Sequence, residues 1–306
     1  METIKTTTSL CPVCYTGIPA VVHRLGSQAI MNKSCPDHGP FESIVERDAN
    51  FYQFIQDNNA PLIYEGLIID VTYRCNLSCK WCYQHLTGED VPKQRTYDLA
   101  SEMPKGYNII LSGGEPTLRE DLPEIITKLR DIGYSVCVLT NGLNIDWSLP
   151  CEWTLSHHNE AQTFFDTRTN ENKQFCSIIY TDDDLDVFYQ HVKDAIAMGV
   201  TVATTYRMHL AKPVGNDCSS STHRYYVSDM VKKLAENGHK LEFISGYAPK
   251  TSFVPLLVDD VPFMLISWPT IENIDLLENN CAPWYHGKGT TPHNLITSII
   301  KSESGN

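Results

Sequence analysis

Three cysteines fall within eight residues of the stretch CNLSCKWC, at Cys75, Cys79 and Cys82. Thiolates at such spacing hold metal, and their number selects which kind. A zinc site ordinarily takes four protein ligands in paired knuckles, whereas an iron-sulfur cluster takes its thiolates from a compact loop. Three ligands leave one iron of a four-iron cluster open to nitrogen and oxygen donors of another molecule. A second cysteine-rich region, CPVC at Cys11 to Cys14 with CPDHG at Cys35 to Gly39, reads as a small metal-knuckle module. The chain holds 11 cysteines in 306 residues, and clustered cysteines in a long chain point to metal or catalysis rather than to disulfides.

The elements that must position these groups follow from periodicity and turn signals. Buried strands are expected at 66–73, 107–114, 135–142, 152–158, 200–210 and 240–247, and amphipathic helices at 121–133, 183–199 and 222–238. Strand and helix in alternation imply parallel strands with right-handed crossovers, in an open sheet or a full or partial barrel. Chemistry then gathers at the carboxyl ends of the strands. CNLSCKWC follows the first of these strands and SGGEP follows the second, so both open on one face. The expected organisation is a metal module over 1–45, a connector over 46–65, a core over 66–247 and an extension over 248–306.

The C-x3-C-x2-C spacing together with LSGGEPTL at Leu111 to Leu118 resembles the radical S-adenosylmethionine (AdoMet) superfamily. That resemblance implies an α/β fold, a partial (β/α)6 TIM-like barrel, with a [4Fe-4S] cluster on Cys75, Cys79 and Cys82 as the catalytic centre. It places Trp81, Gly113, Gly114, Glu115, Pro116 and Asn141 at AdoMet, with Glu115 and nearby backbone oxygens on the methionine amino group. Ser156 and Arg207 are further candidates for the ribose or carboxylate, and one of His157 and His158 for a general acid or base. The amino-terminal region resembles that of the branch containing archaeal tetraether lipid synthase. By that resemblance Cys11, Cys14, Cys35 and His38 form a closed Cys3His site for zinc or a rubredoxin-like mononuclear iron, with His23 or a water as an alternative to His38. Its expected role is folding. Cys281 lies alone after residue 250, unlike the further cysteine sets of the lipid-coupling enzymes.

The implied activity is reductive cleavage of AdoMet to a 5'-deoxyadenosyl radical that takes hydrogen from an organic substrate. A small molecule, lipid or peptide would be the substrate, and flavodoxin or ferredoxin the one-electron reductant. The other reading is a cluster-bearing redox or iron sensor without turnover. A formal charge of -13 argues against a nucleic-acid partner held by phosphate contacts. The start, METIKTTTSL, lacks the pattern of an export signal, and no apolar run approaches the roughly 18 residues of a membrane span. The expected location is the cytoplasm.

Overall fold

The computed structural model describes residues 2–58, 66–79, 82, 84, 86–156, 173–179, 185–187, 189, 190, 193, 206–210, 226–243, 253–266 and 275. The chain divides into two compact units, one of residues 1–63, 209–214 and 221–306, the other of residues 64–208 and 215–220.

The first unit opens with an antiparallel meander, β1 (Glu2–Leu10), β2 (Gly17–Leu25), β3 (Gln28–Cys35) and β4 (Gly39–Glu46), paired in chain order. Alternation along the strands sends Ala20, Val22, Ala29, Met31 and Val45 to one face, where they pack with Ala49 and Tyr52 of helix α1 (Ala49–Asp57). That helix lies within the expected connector over 46–65. Its start is fixed by Asp48, whose side chain accepts hydrogen bonds from the backbone N–H of Asn50 and Phe51, at 2.8 and 3.0 Å.

Five parallel strands organise the second unit: β5 (Gly66–Thr72), β6 (Asn108–Gly113), β7 (Ser135–Thr140), β8 (Glu152–Ser156) and β9 (Lys173–Ile179), each beside the next. Four match expected strands; β9 was not expected. Helix α2 (Lys93–Ser101) also escaped the sequence reading, since its nine residues show little amphipathic contrast. Helix α3 (Leu122–Ile132) matches its expected span and ends at Gly133, whose φ of 108° suits the left-handed cap. Leu122, Ile125, Ile126 and Leu129 give it one buried face. The fold is therefore α/β with a parallel sheet. Tyr206–Leu210 forms β10, within the expected strand 200–210.

A strand is expected over 240–247, and the structure has one there, but not as a parallel member of the core sheet. Leu241–Phe243 forms β11, which pairs antiparallel with β12 (Phe253–Val258); residues 244–247 lie outside the described residues. Strand β13 (Val261–Ile266) returns along β12 through Asp259 and Asp260, both at positive φ (50° and 67°). A two-residue turn of that hand matches the twist of a hairpin. Helix α4 (Val227–Glu236) and β11 to β13 lie in the same compact unit as the meander. Among the described residues no helix is long and apolar enough to cross a membrane.

Candidate functional site

The first unit builds its metal-ligating set out of two hairpin turns. In a four-strand meander the β1–β2 and β3–β4 turns lie at the same end, and these are the two knuckles, residues 11–16 and 36–38. Tyr15, at φ 62°, lets the first turn close, with its N–H donating to the Cys11 carbonyl at 2.9 Å. The N–H of Val13 points at Cys11 Sγ, 3.4 Å away. The ligating atoms of Cys11, Cys14, Cys35 and His38 all lie within 4.8 Å of one another. Cys11 Sγ to His38 Nδ1 is 3.7 Å, Cys35 Sγ to His38 Nδ1 is 3.5 Å, and Cys14 Sγ to Cys35 Sγ is 3.9 Å. A tetrahedral zinc site with metal–sulfur bonds of about 2.3 Å has edges of about 3.6–3.8 Å, so this donor set fits the ion. His23 lies elsewhere, its Nδ1 3.3 Å from Thr3 Oγ1.

Two features of this module were not legible in the knuckle motifs. Hydrogen bonding by Thr16 lowers the exposed Cys14 thiol to about 6. Lys33 is buried with its ammonium donating to Ser9 Oγ at 3.0 Å and to the carbonyl of Leu10 at 2.7 Å. That places the Lys33 amine against the carbonyl of the residue that precedes Cys11, where a positive charge would offset the net negative charge of three thiolates on a divalent ion.

In the second unit the three-cysteine loop is a closed excursion between β5 and α2. Its base is a short antiparallel ladder: Val91 N–H to Val71 O at 3.0 Å, Tyr73 N–H to Glu89 O at 2.7 Å and Gly88 N–H to Tyr73 O at 3.1 Å. Asp90 locks the ladder, accepting from Thr72 Oγ1 at 2.6 Å and bidentately from Arg74 at 2.9 and 2.8 Å. These charge-assisted bonds hold the Asp90 carboxyl below its usual range against the opposing effect of burial. Within the loop Cys82 N–H turns back onto the Cys79 carbonyl at 3.1 Å. Burial raises the Cys75 and Cys82 thiols, and Cys75 also feels the charges of Glu115 and Cys82. Three thiols gathered in one loop beside a strand end are a donor set that fits an iron-sulfur cluster.

The SGGEP turn grips this loop. Gly114 N–H donates to Thr72 O and Glu115 N–H to Arg74 O, both at 2.7 Å. A Cβ on Gly113 would lie 2.1 Å from Thr72 O, and one on Gly114 2.1 Å from Arg74 O. The space the glycines leave is thus filled by the base of the cysteine loop itself, a use of glycine that the motif alone did not reveal. Glu115 is 1% exposed and accepts four hydrogen bonds. They come from Thr117 N at 3.1 Å, Thr117 Oγ1 at 2.7 Å, Thr140 Oγ1 at 2.8 Å and Asn141 N at 2.7 Å. The first of these makes Glu115 the cap of a single 3-10 turn, Pro116–Leu118.

Asn141, buried at the end of β7, closes the circuit. Its Nδ2 donates to Asn76 Oδ1 at 2.7 Å, and its Oδ1 accepts from Leu143 N at 3.1 Å. Three motifs from three strand ends are thereby hydrogen-bonded into one body: the residue after Cys75, the Glu115 carboxylate and the LTNG turn. Asn76, Thr140, Asp90 and Arg74 are members of that body that sequence reasoning missed. Ser156 ends β8, half-buried and opposite Cys176 in register. Arg207 lies in β10, but its side chain lies outside the described residues, as do Trp81, His157, His158 and Cys281.

Residues 3–47 match the family model of the HMPTM N-terminal zinc ribbon domain, and residues 69–217 match that of the radical SAM superfamily. A 7,8-dihydro-6-hydroxymethylpterin dimethyltransferase of Methanocaldococcus jannaschii is 35% identical over 178 residues, covering 46% of this chain and 35% of the relative. A probable GTP 3',8-cyclase of Sulfurisphaera tokodaii is 34% identical over 147 residues, covering 44% of this chain and 44% of the relative. The chain therefore spans less than half the length of these two relatives. Among solved structures, Streptococcus suis SuiB bound to S-adenosylmethionine is similar with a TM-score of 0.44 and 16% identity, over 61% of this chain and 49% of that one.

Proposed function

We propose that this chain, a member of the radical SAM superfamily with a zinc ribbon ahead of its radical domain, is an enzyme that cleaves AdoMet reductively and abstracts hydrogen from a small fused heterocycle. The observation that carries the reading is the hydrogen-bonded body at the strand ends, where the cysteine loop, Glu115 and Asn141 are fixed against one another. When bound, the cluster and AdoMet together supply a 5'-deoxyadenosyl radical, given one electron from a reductant of the flavodoxin or ferredoxin class.

The chain's own residues have separate tasks. Cys75, Cys79 and Cys82 would hold the cluster as thiolates. Glu115 is buried, its carboxyl group held in place by four donors. One of its oxygens accepts three of them and the other accepts one, so the second retains a lone pair for an ammonium group. Gly113, Gly114 and Pro116 would shape that approach, and Ser156 would offer a hydroxyl from the neighbouring strand end. Cys11, Cys14, Cys35 and His38 would hold zinc in a closed shell, with no position for AdoMet.

The substrate class draws support from the two curated relatives, whose names specify a pterin and GTP. Both molecules contain a 2-amino-4-oxopyrimidine ring fused to a second ring.

The test is anaerobic reconstitution followed by assay of 5'-deoxyadenosine in the presence of dithionite and AdoMet. Wild-type protein should form it, and Cys79→Ser protein should form none while keeping its amino-terminal metal. A wild-type protein that carries the cluster yet forms no more than the Cys79→Ser control would make it a sensor rather than an enzyme.

A further inference from the structure

The parallel sheet has two unlike faces. Ile69, Leu111, Val138 and Trp153 are register neighbours across β5 to β8, and none is more than 3% exposed. This is the apolar face. One residue further along each strand the side chains reverse direction. Asp70 there stands opposite Ser112, Leu139 opposite Thr154, and Thr154 opposite register position Gln174. Because Leu111 and Val138 are paired, Ser112 and Leu139 share this same row. Four of its five positions are therefore polar types, directly beneath the strand ends that carry the cysteine loop, SGGEP and LTNG.

The row is incompletely satisfied. Gln84, two residues after Cys82, donates its Nε2 to Asp70 Oδ1 at 3.0 Å. Among the described residues the other Asp70 oxygen and the Ser112 hydroxyl have no hydrogen-bond partner. Burial raises the Asp70 carboxyl above its ordinary range. A ligand that displaces water from these groups must supply donors of its own, since leaving them without a partner would cost about 1–3 kcal/mol each. A lipid chain would supply none and would complete the desolvation.

Resting on the heterocycle reading above, we infer that Asp70 and Ser112 are specificity-determining residues that receive the N–H edge of a 2-amino-4-oxopyrimidine ring. The exocyclic amine and the adjacent ring N–H form two parallel donors, an arrangement a carboxylate accepts as it accepts a guanidinium. The Gln84 amide, held to Asp70, ties this recognition point to the loop that would carry the cluster. The substrate ring would thus be oriented by the strand that also leads into the cysteines.

Fluorescence titration of cluster-loaded, full-length protein with 6-hydroxymethylpterin and with lumazine, which has oxygen in place of the 2-amino group, tests this. Wild-type protein should bind 6-hydroxymethylpterin at least about tenfold more tightly than lumazine. Asp70→Asn, which retains an acceptor for Gln84, should lose that preference, and Ser112→Ala should weaken pterin binding several-fold. If Asp70→Asn and Ser112→Ala both melt with the wild type and bind the two probes with wild-type affinity, the inference is overturned. Should Asp70→Asn melt early, the Ser112→Ala titration decides alone. Wild-type protein that forms 5'-deoxyadenosine but binds the two probes equally overturns this inference and leaves the enzymatic reading standing. Failure to form 5'-deoxyadenosine overturns the enzymatic reading, and this inference with it.

Discussion

At the scale of single residues, Gly113 and Gly114 show that the motif proposed to meet AdoMet is constrained first by the chain's own packing. The absent Cβ at Gly114 would stand 2.1 Å from the Arg74 carbonyl, and that carbonyl, held by the Glu115 N–H at 2.7 Å, has little freedom to retreat. Gly114→Ala should therefore cost about 2 kcal/mol or more, by overpacking against Arg74. Gly26 is the comparison: its φ is 59°, but nothing lies within 4 Å of an added Cβ. Gly26→Ala should cost only about 1 kcal/mol, the penalty of a left-handed alanine. Urea unfolding of both variants measures the difference, and iron content after reconstitution should fall in Gly114→Ala alone. Equal losses in the two would mean that Arg74 yields easily and that the loop is not gripped as described.

Among the elements, the zinc ribbon separates legible from illegible most clearly. The two Cys-Pro knuckles announced the ligands, but only the meander explains why they meet, since alternate turns of an antiparallel sheet share an end. Metal held between the turns would tie β1–β2 to β3–β4, and its binding energy would then be folding energy for this module. Cys14→Ser should lower the metal content by one equivalent and reduce the melting temperature, while AdoMet cleavage per intact cluster stays near wild type. Chelation of the wild-type protein should reproduce the same loss of stability. A Cys14→Ser protein that keeps its melting temperature and full cluster yet no longer cleaves AdoMet would place this site in the catalytic machinery. The strand expected at 240–247 is present at Leu241–Phe243 but pairs antiparallel, for a related reason: periodicity reports that a segment is extended, not which neighbour it pairs with. The Asp259–Asp260 turn made β12 and β13 a hairpin, and β11 joined its free edge.

For the molecule as a folded whole, a buried carboxylate links stability to pH. Glu46, at the end of β4, accepts from Ser228 Oγ at 2.5 Å and from Arg47 N at 2.7 Å. Arg47 in turn pairs with Asp229 at 3.1 Å, so the start of α4 is fastened to the meander's last strand. Burial lifts Glu46 to about 7, above the value of about 4.3 expected for an unfolded chain. The folded state then keeps a proton that the unfolded chain releases. Folding loses stability from this residue as pH rises above about 4, and the loss levels off once pH passes the folded value near 7. The full effect is about 4 kcal/mol at most. Glu46→Gln should match the wild type in denaturant midpoint near pH 4 and exceed it at pH 8. A constant difference across that range would show that Glu46 is not the titrating group.

Chain order alone carried the chemistry that depends on local spacing: three thiolates in one loop, two knuckles, a Gly-Gly-Glu-Pro turn after a strand, and an alternation that makes the sheet parallel. These survive because ligand spacing, turn residues and strand period are properties of a few neighbouring residues. Tertiary structure alone decided the contacts between residues far apart in the chain. Asn141 reaches Asn76 across 65 positions and Glu115 meets Thr140 across 25, because parallel pairing brings successive strand ends side by side. The same pairing sets Asp70 beside Ser112 and turns both away from the apolar face. No pattern in a single strand specifies its register against another, since register depends on the whole buried face fitting its neighbours at once.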